Sequence, residues 1–261
     1  MIAYSDQGNG SPILFIHGFC ETKELWTEYN HILAHTNRVI SVDLPGFGES
    51  ERLIEDSMSI EDLADSVLEL LDSLNLEELV IVGHSLGGYV ALAMAEKRPA
   101  ICSGLCMFHS TAFADTEEKK LNRDKTLDFI HRQGIESFVT AFVPSLFYPS
   151  NRERLEAEIK NLQSIAMQTT EYTVNEITLA MRNRKDRTHI LKSISAPVLY
   201  IIGKEDLAVP FEMSEKQMNL AANSRSLILE HTGHMGMYEQ RETTLNAIQR
   251  FVKNAYEKST L

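Results

Sequence analysis

Short apolar runs alternate with stretches of helical periodicity along most of the chain. Polar or turn-forming residues bound each run, as expected for the strands of a sheet. The runs lie in ILFI (13–16), RVISVD (38–43), ELVIVG (78–83), ICSGLCMFH (101–109), VLYIIG (198–203) and SLILE (226–230). We therefore predict one strand within each of these segments.

The segments between the runs carry apolar residues at helical spacing. A helix is predicted from about Thr22, and Ser59 has the character of an N-cap for a longer one. Further helices are predicted within GYVALAMAEKR (88–98), near 211–222 and at the end of the chain. The predicted buried faces of the first two helices consist of Leu25, Trp26, Tyr29, Ile32 and Leu33, and of Ile60, Leu63, Val67, Leu70, Leu71 and Leu74. This alternation predicts an α/β protein with a mostly parallel central sheet flanked by helices on both faces.

The alternation stops between residues 112 and 190. Only amphipathic helical segments are predicted there, with Pro144 and Pro149 as breakers. The chain is therefore predicted to consist of an α/β core, residues 1–111 and 191–261, and an inserted helical cap, residues 112–190.

The composition of the chain argues against two classes of binding partner. The 261 residues carry a formal net charge of −12, which argues against nucleic acid or an anionic membrane as partner. The first residues, MIAYSDQGNG, lack the basic and apolar regions of a signal peptide, and no apolar run is long enough to span a membrane. Three cysteines, Cys20, Cys102 and Cys106, have no metal-type spacing. These features predict a cytoplasmic protein with buried reduced thiols and with neither a metal nor a cofactor.

A candidate nucleophile lies in GHSLGG, between the strand in ELVIVG and the following helix. In the G-x-S-x-G arrangement the glycines leave room for a tight strand-to-helix turn that exposes the serine. The pattern alone also occurs by chance, so Ser85 has two interpretations, as a turn residue and as a nucleophile. The nucleophile interpretation is favoured once candidate partners are found elsewhere in the chain.

A serine nucleophile needs a base, and the base needs a carboxylate that fixes its tautomer. Ligands of open α/β sheets bind at the carboxyl ends of the strands, so the partners are sought there. Glu205 and Asp206 both follow VLYIIG, and Asp206 is favoured because G-x-x-D-x-x-x-P spans residues 203–210. His231 and His234 both follow the last strand, and His234 is favoured because it lies in a loop that can bend over the sheet.

The segment FIHGFCE (15–21) has the character of an oxyanion loop. Acyl transfer needs backbone amides aimed at the oxyanion of the tetrahedral intermediate. One candidate amide is that of Leu86, directly after Ser85, and the other is that of Phe19. His17 is predicted to organise this loop. Asp43 also follows a strand, but it precedes Ser85 in the chain, so a turn-stabilising role is predicted for it.

The blocks HGFCETKELW, DLPGFGES, GHSLGG, GKEDLAVP and GHM resemble, in order and spacing, those of α/β-hydrolase-fold serine hydrolases, which include esterases, enol-lactonases and C–C bond hydrolases. The resemblance implies Ser85, Asp206 and His234 as a catalytic triad and residues 112–190 as a variable cap. Family members usually have one more strand before the segment matched by IAYSDQG, so the sheet is expected to be one strand short.

Several residues are candidates for the wall of a substrate pocket: Trp26, His109, Phe138, Phe142 and Met235. For Trp26, His109 and the two phenylalanines a purely structural role is a competing interpretation. The basic run MRNRKDR (181–187) is interpreted as a solvated helix face in preference to a polyanion site. Arg182, Arg184 and Arg187 within it are also considered as ligands of a substrate carboxylate, a less favoured interpretation.

The predicted activity is hydrolysis of a small to medium carboxylic ester through an acyl-enzyme, by a monomer or homodimer acting on a small molecule. Enol-lactone, thioester and C–C bond hydrolysis, or a perhydrolase activity, use the same triad and remain alternatives. A ligand receptor or signalling protein with slow turnover is the alternative from another class.

Overall fold

Seven strands form one sheet in the part of the chain that the structure, a computed structural model, describes (residues 1–52 and 58–258). The strands are β1 (Tyr4–Gln7), β2 (Pro12–Ile16), β3 (Arg38–Val42), β4 (Leu79–His84), β5 (Cys102–Phe108), β6 (Val198–Gly203) and β7 (Ser224–Leu229). Their spatial order is β1-β3-β2-β4-β5-β6-β7, and β1 pairs antiparallel with β3 while the other neighbours are parallel. Residues 53–57 and 259–261, which belong to the predicted core ranges, lie outside the described residues.

Helices connect the strands. They are α1 (Thr27–Leu33), α2 (Ile60–Ser73), α3 (Leu86–Lys97), α4 (Glu117–Ser145), α5 (Glu156–Ala166), α6 (Glu171–Arg182), α7 (Thr188–Ser193), α8 (Phe211–Gln217), α9 (Gly236–Glu239) and α10 (Arg241–Lys258). Short 3₁₀ turns span Lys23–Trp26, Pro99–Ile101 and Pro149–Asn151.

The five inner strands, β2 to β6, are almost wholly buried, which explains why they are rich in apolar residues. Successive side chains of a strand point to opposite faces. In β2, Leu14 and Ile16 accordingly join the hydrophobic cluster on one face of the sheet, whereas Ile13 and Phe15 join the cluster on the other. The predicted α/β class with a mostly parallel, helix-flanked sheet is confirmed.

The predicted elements differ from the observed ones in detail. The helix expected from Thr22 starts as a 3₁₀ turn and becomes α-helical only at Thr27. Ser59 is the N-cap of α2, where its side chain and that of Asp62 form a reciprocal capping box. The helix expected near 211–222 ends at Gln217.

Helices α4 to α7 occupy the chain between β5 and β6, and no strand interrupts them in this fully described stretch. Helix α4 is broken at Gly134, whose φ of 78° and ψ of 164° are not helical. Pro144 lies inside the last turn of α4 rather than ending it, and Pro149 opens a 3₁₀ turn.

The three cysteines are free and buried, and burial raises the pKa of Cys102 to about 12. No helix within the described ranges is both long and apolar enough to cross a membrane.

Candidate active site

Ser85 occupies a sharp turn between the end of β4 and the start of α3. Its φ of 49° and ψ of −112° are unusual for a residue with a side chain. The neighbouring glycines permit this close turn, because a Cβ at Gly83 would lie 2.5 Å from the carbonyl oxygen of Gly87. The backbone is held on both sides, since Ser85 N donates to Phe108 O at 3.0 Å and Ser110 Oγ donates to Ser85 O at 2.7 Å. The turn therefore presents the serine side chain in a fixed position.

Asp206 follows β6 and is buried. Its Oδ1 accepts hydrogen bonds from the backbone amides of Ala208 at 2.8 Å and Val209 at 2.9 Å, and its Oδ2 lies 2.7 Å from His234 Nδ1. Burial alone raises the pKa of Asp206. The charge of His234 and the hydrogen bonds from His109 and His234 outweigh burial and hold that pKa well below its usual range. The carboxylate is therefore ionised and faces the imidazole.

His234 is also buried, in the loop that follows β7. Its backbone N–H donates to Leu146 O at 2.7 Å, which ties the loop to the end of α4. Because Nδ1 faces the carboxylate of Asp206, Nδ1 carries the proton in the neutral ring and Nε2 carries the lone pair. His234 and Ser85 line the same cavity, whose volume is about 300 Å³.

The two residues weighed against Asp206 and His234 lie elsewhere. Glu205 accepts a hydrogen bond from Thr232 N at 2.9 Å and does not meet His234. The side chain of His231 is 78% exposed and packs beside the Tyr148 ring, with 5.8 Å between ring centroids. Glu205 Oε1 lies 4.0 Å from His231 Nδ1 near the surface, whereas Asp206 and His234 form a shorter, buried contact of 2.7 Å.

The segment after β2 contributes two residues to the wall of the cavity. Phe19 lines the cavity, and Leu86 is the first residue of α3. Neither backbone N–H donates a hydrogen bond to any residue that the structure describes. His17 is buried, accepts a hydrogen bond from Leu44 N at 2.9 Å and lies 2.7 Å from Gly18 O through Nδ1, as expected of an organiser of this loop. Burial lowers the pKa of His17, so its ring is neutral.

A buried pair that the sequence analysis missed joins this loop to the serine turn. Glu21 Oε2 accepts from Gly18 N at 2.5 Å and lies 2.9 Å from Nδ1 of His84, the residue before Ser85. His84 Nε2 lies 3.0 Å from His234 O. Both ring nitrogens therefore face acceptors, which requires a proton on each. The only signal in the sequence is an ionisable residue inside each of the blocks HGFCE and GHS.

The electrostatics of this pair agree with its geometry. Burial lowers the pKa of His84, but the charge and hydrogen bond of Glu21 raise it above its usual value. For Glu21 burial raises the pKa, but the charge and hydrogen bond of His84, the charge of His17 and the hydrogen bond from Gly18 N together lower it by more. The two residues form a buried ion pair between the segment after β2 and the serine turn.

His109 contacts the acid rather than the cavity. Its Nδ1 lies 3.4 Å from Asp206 Oδ2, and the backbone nitrogens of Gly203 and Gly236 lie 3.1 Å from Nδ1 and Nε2, respectively. A neutral ring has one N–H and one accepting nitrogen. With the proton on Nδ1, toward Asp206, Nε2 accepts from Gly236 N, and a second proton on the ring would remove that hydrogen bond. Burial accordingly lowers the pKa of His109 to about 4.

The cavity wall contains some of the predicted pocket residues and not others. Phe138 and Phe142 line it, with their rings stacked at 4.9 Å between centroids. Trp26, His109 and Met235 are buried and are not part of the described wall. Trp26 packs on Phe15, Tyr29 and Phe108 in the hydrophobic core.

The arginines considered as carboxylate ligands are already paired. Arg182 binds Asp124, Arg184 binds Asp115, and Arg187 binds Glu61 and Glu96.

Asp43 has the predicted role in a turn. Its carboxylate accepts from the backbone amides of Lys23, at 2.7 Å, and Glu49, at 3.0 Å, and from Lys23 Nζ.

One cluster of the described residues has the residue types of a metal site. Ligand atoms of His109, Asp206 and His234 lie within 4.8 Å of one another. However, both nitrogens of His109 face backbone amides, and both oxygens of Asp206 accept hydrogen bonds. This donor set fits a hydrogen-bonded network better than metal coordination.

Known proteins resemble the chain over most of its length. An esterase of solved structure from Thermogutta terrifontis is 29% identical, with a TM-score of 0.91, and the match covers 97% of this chain and 93% of that one. A putative carbamate hydrolase, RutD, from Serratia proteamaculans is 27% identical over 80% of this chain and 78% of its own length. The acetyltransferase component of an acetoin cleaving system from Pseudomonas putida is 25% identical over 94% of this chain, which spans only 64% of the length of that protein.

The sequence model of one family, described as the α/β hydrolase fold, matches residues 11–240. That range contains the serine turn, the acid after β6 and the histidine loop after β7, and it includes most of the sheet. The chain belongs to the α/β hydrolase fold family.

Proposed function

We propose that this protein hydrolyses a carboxylic ester of small to medium size through an acyl-enzyme on Ser85. The observation that carries the proposal is the 2.7 Å contact between His234 Nδ1 and Asp206 Oδ2 at a cavity that His234 shares with Ser85. The contact assigns the proton to Nδ1 and leaves the Nε2 lone pair as the base. The esterase of Thermogutta terrifontis, similar over nearly the whole chain, supports the same reaction class.

In the first half of the reaction, Ser85 Oγ attacks the ester carbonyl and its proton passes to His234 Nε2. Asp206 stabilises the imidazolium that forms. The negative charge on the carbonyl oxygen is bound by the backbone amides of Phe19 and Leu86, which have no other acceptor among the described residues. The C–O bond to the alcohol then breaks, and the alcohol leaves with the proton from Nε2.

In the second half, water attacks the acyl-enzyme and gives a proton to Nε2. The second tetrahedral intermediate collapses, Ser85 recovers its proton, and the carboxylic acid leaves. No metal or cofactor takes part in these steps. We also propose that α4 to α7 act as the cap of the site, because α4 and α6 supply much of the cavity wall.

The test is turnover of p-nitrophenyl acetate and butyrate by the purified protein. Ser85→Ala is expected to lower kcat/KM by about 10⁴-fold or more, because nucleophile and base act as a unit. Ser73→Ala, which removes an exposed hydroxyl at the end of α2, is the matched control and should behave as wild type. Equal activity of Ser85→Ala and wild type would refute the proposal.

A further inference from the structure

One side of the cavity is cationic. Helix α4 contributes Lys119, Asn122, Arg123 and Thr126 to the wall. Residues three and four apart in a helix share one face, so these side chains form a continuous stripe. Another part of the wall is apolar and contains Phe19, Phe138, Phe142 and Leu146, with the three phenylalanine rings in mutual contact. The cations are notable because the whole chain has a net charge of −12.

Neighbouring acids do not cancel the positive charge. Arg123 and Arg184 both bind the buried carboxylate of Asp115, Arg123 through Nε and Arg184 through Nη1. One carboxylate thus serves two guanidinium groups. Together with Lys119, these four side chains retain two positive charges.

The acidic member of the described wall is already neutralised. Glu21 is held in the ion pair with His84 and by the amide of Gly18.

A second consequence of this charge is seen at Tyr89, whose buried ring also lines the cavity and stacks under the Arg184 guanidinium at 4.2 Å. Burial by itself raises the pKa of Tyr89. The positive charges of Arg184, Lys119 and Arg123 lower that pKa by more. The Arg184 guanidinium therefore places a positive charge against the Tyr89 ring at this end of the cavity.

The cationic side also has unused hydrogen-bond donors. Lys119 Nζ donates to Ala208 O at 2.8 Å, so two of its three N–H groups are available. Arg123 Nη1 faces only the weakly accepting Sδ of Met181, at 3.6 Å. Thr178 on α6 is 2% exposed and lines the cavity, yet its Oγ1 has no hydrogen-bond partner among the described residues. A buried hydroxyl without a partner points to a ligand that supplies one.

We propose that Lys119, Arg123 and the Thr178 hydroxyl form a subsite for a carboxylate, so that the preferred substrates are esters that carry a carboxylate as well as the scissile ester. This inference rests on the proposed ester hydrolysis and specifies its substrate class. The apolar wall then holds the hydrocarbon part of the substrate, between the carboxylate and the carbonyl that Ser85 attacks.

Two pairs of esters test the subsite, and in each pair a methyl ketone replaces the carboxylate at nearly constant shape. Monomethyl succinate and methyl levulinate place the group on the acyl side, whereas acetoxyacetate and acetoxyacetone place it on the alcohol side. Initial rates of acid release give kcat/KM for each ester. We expect the carboxylate ester of at least one pair to exceed its neutral partner by about tenfold, the gain from a charge-assisted hydrogen bond.

Substitutions on α4 then test whether Lys119 and Arg123 cause the preference for esters that carry a carboxylate. Lys119→Gln and Arg123→Gln should each reduce the ratio of anionic to neutral kcat/KM by about tenfold. Lys125→Gln, which removes an exposed positive charge from α4 outside this cavity, should leave the ratio and both rates as in wild type. A ratio near one in wild type, or an equal ratio in all variants, would overturn the subsite even if neutral esters are turned over through Ser85.

A binding measurement separates this inference from the proposed hydrolysis. Calorimetric titration of Ser85→Ala with monomethyl succinate should show binding that Lys119→Gln weakens about tenfold and that methyl levulinate does not match. Such binding without turnover by wild type would retain the carboxylate subsite and refute the esterase. Equal binding of the two esters would refute the subsite.

Discussion

Asp206 is the residue on which three loops converge. Its Oδ1 accepts hydrogen bonds from two backbone amides. Its Oδ2 lies next to Nδ1 of His234, from the loop after β7, and next to Nδ1 of His109, from the end of β5. The two histidines differ in role because only His234 reaches the cavity. His109 contacts the carboxylate of Asp206 without lining the cavity, and its neutral ring adds no positive charge beside His234.

The depressed pKa of His109 predicts a pH dependence of stability. Between its usual value of 6.5 and about 4, an unfolded chain binds a proton at this histidine and the folded protein does not. The free energy of unfolding is therefore unaffected by protonation of this residue above its unfolded pKa of 6.5. It decreases as the pH falls from 6.5 toward the folded pKa of about 4. We expect wild type to lose roughly 1.5 kcal/mol more than His109→Gln between about pH 6.5 and about pH 5.

Urea unfolding of both proteins at the two pH values measures this difference. His131→Gln, a substitution at an exposed position of α4, removes a histidine without touching Asp206 and serves as the control. Identical pH dependence of wild type and His109→Gln would show that the buried ring does not titrate as described.

Residue types and chain order alone suggested Ser85, Asp206 and His234, because each follows a strand whose apolar run is clear. The contacts around them were not predictable in this way. Glu21 and His84 are 63 residues apart, and neither has a periodic pattern that predicts their contact. Lys119 and Arg123 reach the cavity only because α4 lies across it, which depends on packing between helices.

At the scale of elements, the strands that could be predicted are those that contain an apolar run. The six predicted strands each contain an apolar run, and all six are observed, including the edge strand β7, in which only Leu229 is buried. Strand β1 has no such run, because Tyr4–Gln7 is mostly exposed at the sheet edge, so its antiparallel pairing with β3 was not predicted from its pattern. Helical periodicity likewise predicted helices between 112 and 190 but not their arrangement.

The break in α4 at Gly134 separates two functional parts of one helix. The part before it carries Lys119 and Arg123, and the part after it carries Phe138 and Phe142. The φ of 78° and ψ of 164° at Gly134 are accessible almost only to glycine.

Replacing that glycine should therefore destabilise the protein. Gly134→Ala is expected to lower the free energy of unfolding by about 1–3 kcal/mol through backbone strain, since a Cβ would meet no atom within 4 Å. Chemical denaturation measures the change. Gln133→Ala, at the exposed neighbouring position, should have little effect, and equal stability of the two variants would show that α4 tolerates a side chain at the break.

On the scale of the whole molecule, the candidate site is assembled where the carboxyl ends of β2, β4, β5 and β6 meet, as expected for a parallel sheet. The loop that carries Phe19, the serine turn and the loop of Asp206 each follow one of these strands, and α4 and α6 contribute residues to the wall of the cavity. The central claim is that this assembly makes Ser85 a nucleophile.

Intact-mass spectrometry after reaction with a fluorophosphonate tests that claim most directly. Wild type should gain one adduct per chain, and peptide mapping should locate it on Ser85. The adduct should be absent from Ser85→Ala and should form far more slowly in His234→Gln, because the base has been removed. An adduct on another residue, or labelling of Ser85→Ala at the rate of wild type, would contradict the account.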